Sequence, residues 1–445
     1  MRKAGSMFKR LLLITCFILL SSQQGFAKSD PLEFRGWLQW LNTIEHTTPD
    51  TKNEINPENQ VLKIPSTTYA SLLRPNFKIT ANDVQFVVRP RVIYRQDFAK
   101  VNDKNLPERS QLQSYLNDAF VQWTISESVS FTYGKQVYQW GAAETFSPSN
   151  RIFHDVASNR DIRYEVRGKR IARLNFSSGK DFNAVVMADI EDDKDALVFN
   201  ADTKWVPSIL AKGEYGWNSG ADYFGMVVGG QQNGLPWVGE YFNVGVPFFE
   251  GLSIFGDASH QRGTEAWYPV VNNQNTPLGI QQQITFSHSK QDSKHVFTLA
   301  VAGLKYDFIN GTILRGEYVY NEAGYTTAQR DLARASLNPR TQNQQPVLAE
   351  NAKRYFAPGL DILGQRYAYV SVYVPDLFNV NDLLFMARSV VSIVDKSRLS
   401  YVSVDYKLGS NGTLSVAIGG GAGKNNSELK GYTAPMQYIA YRHDW

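Results

Sequence analysis

A period-two alternation of apolar and polar residues, recurring over stretches of about 9–14 residues, is the feature that most limits how this chain can fold. In segment 82–96, for example, Phe86 and Val88 alternate with Arg89 and Arg91. Successive side chains of a strand point to opposite faces, so the pattern predicts strands with one apolar and one polar face. No stretch outside the N-terminus approaches the roughly 18 consecutive apolar residues of a membrane-spanning helix, which excludes a helical membrane protein.

About eighteen such segments follow one another, and the number predicted is sixteen to eighteen because a bacterial single-chain barrel has an even strand count. The segments begin near Pro31, Ser66, Asn82, Gln111, Ser128, Glu165, Lys180, Lys204, Ala221, Trp237, Gly251, Lys294, Gly311, Leu363, Asp382, Arg398, Gly412 and Tyr432.

Connection lengths give an independent argument. Tight turns, such as those at Ser126-Glu127 and Asn310-Gly311, alternate along the chain with long loops. The long loops are 44–65, 97–111, 140–164, 191–203, 260–293 and 323–362. Short turns at one end and long loops at the other are typical of an outer-membrane barrel, and an unpaired strand edge is costly in hydrocarbon. The predicted fold is therefore all-β: a closed antiparallel transmembrane β-barrel with short periplasmic turns and long extracellular loops.

The N-terminus has the pattern of a secretory signal peptide. Four basic residues precede the apolar run Leu11–Leu20, and small residues follow at Gly25 and Ala27. We predict cleavage after Ala27, which leaves residues 28–445 as a single barrel domain. The four basic residues are Arg2, Lys3, Lys9 and Arg10.

Charge and cysteine content exclude several classes of function. The leader's four basic residues account for the whole formal charge of +4, so the mature chain is nearly neutral. This argues against a nucleic-acid partner held by bulk charge. The one cysteine, Cys16, lies in the leader, so the mature chain has neither a disulfide nor a thiolate metal site. We expect no metal and no cofactor.

Aromatic residues are concentrated near segment ends, where their amphipathic rings favour a membrane–water interface. Ordinary strand propensity explains any one of them equally well. The expected interfacial residues are Trp37, Trp40, Tyr69, Tyr94, Trp123, Tyr133, Trp140, Tyr318, Tyr320 and Tyr441.

The chain ends on a strand in which Ile439, Tyr441 and Trp445 share one parity. A terminal aromatic residue preceded by alternating apolar residues resembles the signal that hands outer-membrane barrels to the barrel assembly machinery. Gln437 and His443 dilute that apolar parity. We predict that Ile439, Tyr441 and Trp445 form an assembly signal.

Leader, strand pattern and C-terminus together resemble Gram-negative outer-membrane porins and porin-like exporters. The segment 134–141, running into 146–150, resembles a strand-to-loop segment of large monomeric porin-like families without an assigned substrate. The resemblance implies a barrel in the cell outer membrane, in contact with lipid and lipopolysaccharide. It leaves two functions open: diffusion of small polar or anionic solutes, or export of an anionic polysaccharide or other envelope polymer with periplasmic partners.

Basic residues fall on the polar parity of several strands and are the expected lining of the pore. Clustered cations would favour anionic solutes. The alternative is a charge-balanced lumen in which acids such as Asp118, Asp189 and Glu317 pair with these residues. The expected pore-lining residues are Arg74, Lys78, Arg89, Arg91, Arg95, Arg167, Lys169, Arg173, Arg315 and Arg388.

Loop 140–164 is the expected constriction of the channel, because a charged loop folded inward would narrow the lumen and set its polarity. An ordinary extracellular loop is the alternative. Its charged residues and histidine are Glu144, Arg151, His154, Asp155, Arg160 and Asp161.

The sequence does not favour an enzyme, and we assign no catalytic residue. His154-Asp155 is an adjacent pair with acid–base chemistry, but no recognisable catalytic triad, phosphate loop, dinucleotide motif or zinc motif is present. A barrel enzyme would lose activity when His154 is changed. None of these patterns encodes the solute or the oligomeric state.

Overall fold

The computed structural model describes residues 32–51, 56–60, 63–101, 104–153, 165–179, 181–190, 208–231, 235–276, 279–288, 294–337, 345–356, 358–360, 362–424, 427–430 and 433–445. Among these residues, no helix has the length and apolar character needed to span a membrane. The predicted leader, residues 1–27, lies outside the described residues.

Eighteen antiparallel strands form one closed ring, because the last strand pairs with the first as well as with its predecessor. The strands are β1 Leu32–Pro49, β2 Pro65–Ala81, β3 Val84–Val101, β4 Arg109–Ser126, β5 Val129–Gln136, β6 Lys169–Ser178, β7 Phe182–Asp189, β8 Ser208–Trp217, β9 Asp222–Gln231, β10 Trp237–Gly245, β11 Leu252–Arg262, β12 Val296–Asp307, β13 Ile313–Asn321, β14 Arg366–Val374, β15 Leu383–Ser392, β16 Arg398–Leu408, β17 Gly412–Ala422 and β18 Thr433–Asp444. The predicted fold class and strand number are confirmed.

Side-chain exposure alternates around the ring as the sequence predicts. On β3, Phe86 and Val88 are 48% and 40% exposed. Val87, which lies between them, is 5% exposed, and Arg91, three residues after Val88, is 3% exposed. The outward face is therefore apolar and the charged residues point into the lumen. A continuous exposed apolar surface of this kind is unfavourable in water and is what lipid would cover.

The faces assigned on β3 lead to a stability prediction. Replacing the outward-facing Val88 by arginine should reduce the free energy of unfolding by about 2–4 kcal/mol at mid-membrane depth, because the guanidinium would face hydrocarbon. Gln85→Arg, on the lumenal face of the same strand, is the matched control and should refold normally. Urea titration of the refolded variants measures the difference; equal stabilities would mean that the faces have been reversed.

The two ends of the barrel differ. Eight connections of two to eight residues lie at one end, the turn end, and nine connections of five to 44 residues lie at the other, the loop end. The predicted alternation of short and long connections is thus present. Three loop-end connections, 102–108, 232–236 and 393–397, are the exceptions, because their lengths fall within the range found at the turn end.

Some boundaries differ from the sequence expectation. Strands β1 to β4 contain 17 or 18 residues, longer than the predicted 9–14, so they continue into loops 44–65 and 97–111. Strand β6 begins at Lys169 rather than Glu165, which leaves Arg167 in the preceding connection.

The loop end also carries ordered elements that the alternation did not predict. A hairpin of Tyr268–Thr276 and Gly279–Ser287 packs with helices α1, Thr327–Ala335, and α2, Gln345–Phe356. We call this unit the cap. Buried Ala266, Tyr268, Tyr325 and Ala333 form its small core.

The C-terminal residues close the ring. The backbone N–H of Trp445 donates to the carbonyl of Leu38 at 2.8 Å, and the ring of Trp445 stacks on Trp40 at 6.5 Å between centroids. Ile439 faces outward with 56% of its surface exposed, and Tyr441 shares its parity. The role of these residues as an assembly signal stays a prediction.

Candidate functional site

The connection between β5 and β6 enters the lumen. We call residues 137–153 the inward loop. The carboxylate of Glu317, on β13, accepts hydrogen bonds from the backbone N–H groups of Glu144 at 2.6 Å and Thr145 at 2.9 Å. Because β13 stands eight strands away from β5 in a ring of eighteen, the loop reaches nearly the opposite wall. Glu317 is only 5% exposed, so this contact is largely shielded from solvent.

A second buried carboxylate, Asp257 on β11, holds the next part of the inward loop. It accepts from the hydroxyl of Ser147 at 2.6 Å and from the backbone N–H of Ser149 at 2.7 Å. This approach requires glycine at position 141 for two reasons. The φ of Gly141 is +90°, which residues with side chains rarely adopt, and a Cβ atom there would collide with the Asp257 carboxylate. Asp257 is only 2% exposed, so the two hydrogen bonds are shielded from water and hold this part of the loop on the wall.

The side chain of Glu144 adds a third contact on the same wall. Its carboxylate lies 3.4 Å from Nε of Arg315 and accepts from the hydroxyl of Ser371 at 3.0 Å. Arg315 also donates to the carbonyl of Ala142 at 2.6 Å. Arg315, predicted to line the pore, therefore serves the anchorage of the inward loop.

Apolar side chains of the inward loop cover the lumenal faces of many strands. Trp140, Ile152 and Phe153 belong to one buried cluster with β6 to β10, and Phe146 belongs to another with β12 to β15. Trp140 is only 8% exposed, so its expected place at the membrane interface is wrong: the loop carries it inward.

The wall formed by β16 to β18, β1 and β2 is different, and we call it the open wall. Its buried apolar cluster includes Leu41, Leu72, Tyr401 and Tyr438. In the part of the chain that the structure describes, the inward loop adds no residue to that cluster. The passage through the barrel is therefore expected to run between the inward loop and the open wall.

The three predicted pore-lining arginines on β3 all have acidic partners, and for two of them the partner lies on a barrel strand. Arg89 lies 3.1 Å from the carboxylate of the buried Asp118, and Arg95 lies 2.8 Å from that of Asp97. Their charges are partly compensated, so they do not form the uniform basic strip that the sequence suggests.

Arg91 is tied to the far end of the β5–β6 connection. It forms a two-pronged ion pair with Glu165, with N–O distances of 2.5 and 2.7 Å. Glu165 also lies 3.8 Å from Arg74, whose Nη1 donates to Gln39 at 3.0 Å. These two lumenal arginines therefore anchor the connection to β2 and β3.

Other predicted basic residues lie over aromatic rings, where the ring quadrupole attracts the cation. The pairs are Arg167 over Tyr115 at 4.3 Å, Lys169 over Phe153 at 5.9 Å, Arg173 over Tyr138 at 4.2 Å, and Arg388 over Tyr401 at 4.4 Å. Lys78 is half-buried on the lumenal parity of β2.

Arg173 and Arg388 are the lumenal cations of greatest interest. Within the described ranges neither has a carboxylate within 4 Å, and Nε of each is buried without a hydrogen-bond partner. Arg388 sits over Tyr401 of the open wall. A buried guanidinium with an unused donor is suited to bind an anion.

The charged residues predicted for the constriction divide into two groups. Glu144 lies in the inward loop with the contacts given above, and Arg151 is half-buried there. His154, Asp155, Arg160 and Asp161 lie outside the described residues. Among the described residues, no group of three or more His, Cys, Asp or Glu is placed to hold a metal ion.

No family model and no curated protein matches this chain. Solved structures do match. Acinetobacter baumannii OccAB1 has a TM-score of 0.56 and 12% identity, with 95% of this chain and 99% of that chain covered. Pseudomonas aeruginosa OccK2 (OpdF) in complex with glucuronate has a TM-score of 0.52 and 10% identity, with 95% of this chain and 99% of that chain covered. The outer membrane protein opdK from Pseudomonas aeruginosa has a TM-score of 0.51 and 7% identity, with 92% of this chain and 99% of that chain covered. What this chain shares with these Occ and opdK structures is the barrel fold.

Proposed function

We propose that this protein is an outer-membrane channel for small polar solutes, with the loop end outside the cell and the turn end in the periplasm. Support comes from the outward apolar belt around a charged lumen, which fits a barrel standing in lipid with water inside. The full-length likeness to outer-membrane porins supports the same class.

The observation that carries the proposal is the inward loop bonded across the lumen to Glu317 and Asp257. A loop held on the far wall reduces the cross-section of an eighteen-stranded barrel, which would otherwise enclose a wide aqueous space. A narrowed, polar passage favours small solutes over polymers. This argues for diffusion and against export of a polysaccharide.

We further propose that the passage prefers anions. Arg173 and Arg388 lack described carboxylate partners, and a cation in a low-dielectric wall lowers the barrier for negative solutes. The OccK2 structure in complex with glucuronate makes sugar carboxylates the first solutes to test.

Planar-bilayer recording of the refolded protein, without partners, tests the channel. We expect stable single-channel steps, and fractionation of the native protein with the outer membrane. Recovery in the soluble periplasm, or no conductance above the empty bilayer, would contradict the proposal. Conductance that requires a periplasmic partner would favour the polymer exporter instead.

Replacing Arg388 by glutamine should weaken anion preference. A carboxylate passing about 4 Å from the guanidinium gains about 1 kcal/mol even at the dielectric constant of water, so the permeability ratio of anion to cation should fall about fivefold. Arg388→Lys keeps the charge and is the matched control. Reversal potentials in a salt gradient measure the ratio. An unchanged value for the glutamine variant would mean that Arg388 does not face the permeating ion.

A further inference from the structure

A polar cavity of about 380 Å³ lies on the lumenal side of β4 to β8, away from the open wall. It extends from the turn-end residues Ser126 and Ser128 up to Tyr138, at the start of the inward loop. Its volume falls near the lower limit of ligand pockets, which hold roughly 300–1,000 Å³. A single sugar-sized molecule matches this volume better than a polymer does.

Hydroxyl and amide groups form one side of the cavity. Cross-strand pairing places Thr124 opposite Ser130, and Ser130 opposite Asn175, so these polar groups lie side by side on adjacent strands. Asn175 donates to the hydroxyl of Ser130 at 3.1 Å. The side chains of Gln122, Thr124 and Asn183 have no hydrogen-bond partner among the described residues. Each of these three side chains can both donate and accept.

A compensated ion pair lies on the other side. Oε2 of Glu214 receives hydrogen bonds from Nζ of Lys212 at 2.9 Å and from the hydroxyl of Tyr241 at 2.6 Å. Cross-strand pairing places Asn183 opposite Glu214. Within the described structure Oε1 of Glu214 receives no side-chain hydrogen bond, so it can accept one from a ligand. Lys212 balances Glu214, and the remaining charged residue of the lining is the exposed Glu127 at the turn end, so the cavity does not favour an anion.

We propose that this cavity is a binding subsite for a polyhydroxylated, uncharged solute or solute moiety, such as a hexose or polyol. Neighbouring hydroxyls of such a ligand donate to Oε1 of Glu214 and exchange hydrogen bonds with Gln122, Thr124 and Asn183. An apolar molecule of equal size would leave these groups without hydrogen-bond partners. Each group left without a partner costs free energy, so an apolar molecule should bind weakly. The role of the subsite in permeation rests on the proposed channel function; the binding itself does not.

Saturation-transfer NMR of the refolded protein in detergent, titrated with glucose, tests the subsite without any need for conductance. We expect glucose to bind, and Gln122→Ala/Asn183→Ala to bind it at least about tenfold more weakly because two hydrogen-bonding groups are lost. Thr124→Val, a nearly isosteric change at an exposed position, should weaken binding independently. Heat-modifiable mobility on gels verifies that each variant is folded.

Gln113→Ala is the matched control, since Gln113 is the same residue type on the lumenal face of the same strand but outside the cavity. It should leave glucose binding unchanged. Polyethylene glycol, which has ether oxygens but few hydroxyls, should not displace glucose. Absence of glucose binding, or equal binding by the double variant, would overturn the subsite.

Conductance recorded on the same preparations separates the two proposals. A conducting protein that does not bind glucose retains the channel function and loses the subsite. A protein that binds glucose but does not conduct retains the subsite and loses the channel function.

Discussion

Releasing the inward loop from the far wall is expected to raise single-channel conductance several-fold. The change is Glu317→Ala combined with Asp257→Ala. These two carboxylates accept four hydrogen bonds from the loop, from Glu144, Thr145, Ser147 and Ser149. Each hydrogen bond contributes about 0.5–1.5 kcal/mol, so losing all four should release the loop from the wall and widen the passage. Conductance in symmetric salt measures the effect.

The control for this prediction is Glu322→Ala. Glu322 follows β13 directly and accepts from the N–H of Thr298 at 3.0 Å, but it makes no described contact with the inward loop. Its removal should leave conductance within the spread of the unaltered protein. If the double variant refolds as a heat-modifiable barrel and conducts no better than the Glu322 variant, the inward loop does not limit the passage.

The second large effect is expected at Arg330, in helix α1 of the cap. Its Nη1 lies 2.6 Å from the carboxylate of Asp395 and 3.8 Å from that of Glu428. All three side chains are at most 11% exposed. Arg330→Ala would leave two carboxylates in this buried place without their cation, which costs about 3–5 kcal/mol. The cap should detach, and amide hydrogens of α1 should exchange much faster with solvent.

Asp331→Ala is the control for Arg330, because Asp331 is the next residue of α1 and is exposed. It should not change exchange in the helix. Equal exchange for the two variants would mean that packing in the cap core, and not the ion pairs of Arg330, holds α1.

The same contact has a defined pH dependence. Burial acts to raise the pKa of Asp395, but hydrogen bonds from Ser397 and the N–H of Glu428, with the charge of Arg330, hold it below its usual value. A depressed carboxyl pKa stabilises the fold above the unfolded value, near 4, and this contribution is lost as pH falls through the folded pKa. We therefore expect α1 to be protected at neutral pH and released only in acid below about pH 4.

Glu428 behaves in the opposite sense. Burial raises the pKa of its carboxyl above the ordinary value, so it takes up a proton before Asp395 does. The Arg330–Asp395 pair should therefore outlast protonation of Glu428. A titration that follows exchange in α1 would show one transition, that of Asp395, if this order holds.

The barrel itself could be predicted from sequence because lipid and water act on every second residue of every strand. The predicted segment near Lys204, in which the alternation of apolar and polar residues is weak, still corresponds to a strand, Ser208–Trp217. Because the pattern repeats eighteen times, an error in one segment does not change the predicted fold, whereas a prediction from a single motif fails if that motif is misread.

Side-chain pairing inside the lumen could not be predicted in the same way. Arg91 and Glu165 are 74 residues apart, and nothing local to either residue indicates the other. Arg89 meets Asp118 beside a register shift, after which Pro90 pairs with Leu116 and Asn117 is passed over. The alternation predicts which face of the barrel each arginine is on, but it does not predict which carboxylate the arginine pairs with. It therefore could not distinguish the lumenal arginines that have acidic partners from those that do not.

Helix α1 in the cap did carry a local signal. Thr326 accepts from the N–H of Gln329, whose side chain accepts in turn from the N–H of Thr326, which is a capping box. The Thr326–Gln329 spacing is readable in the sequence, but a period-two alternation gives no indication of a helix within loop 323–362. Asp257 and Glu317, the anchors of the inward loop, fall on lumenal positions in the alternation. Their hydrogen bonds to the inward loop could not be predicted from the sequence and are seen only in the structure.

The seam between β1 and β18 sets the order of events in folding. Gln39 and Asp444, 405 residues apart in sequence, are hydrogen-bonded across it. Every other neighbouring pair of strands in the ring is consecutive in the chain, so each can form as a local hairpin. Sealing the ring closes the longest loop and therefore has the largest loop-closure entropy cost, and until it occurs two strand edges have no partners in hydrocarbon. Insertion is therefore expected to be cooperative, with a half-built sheet unable to persist in the bilayer.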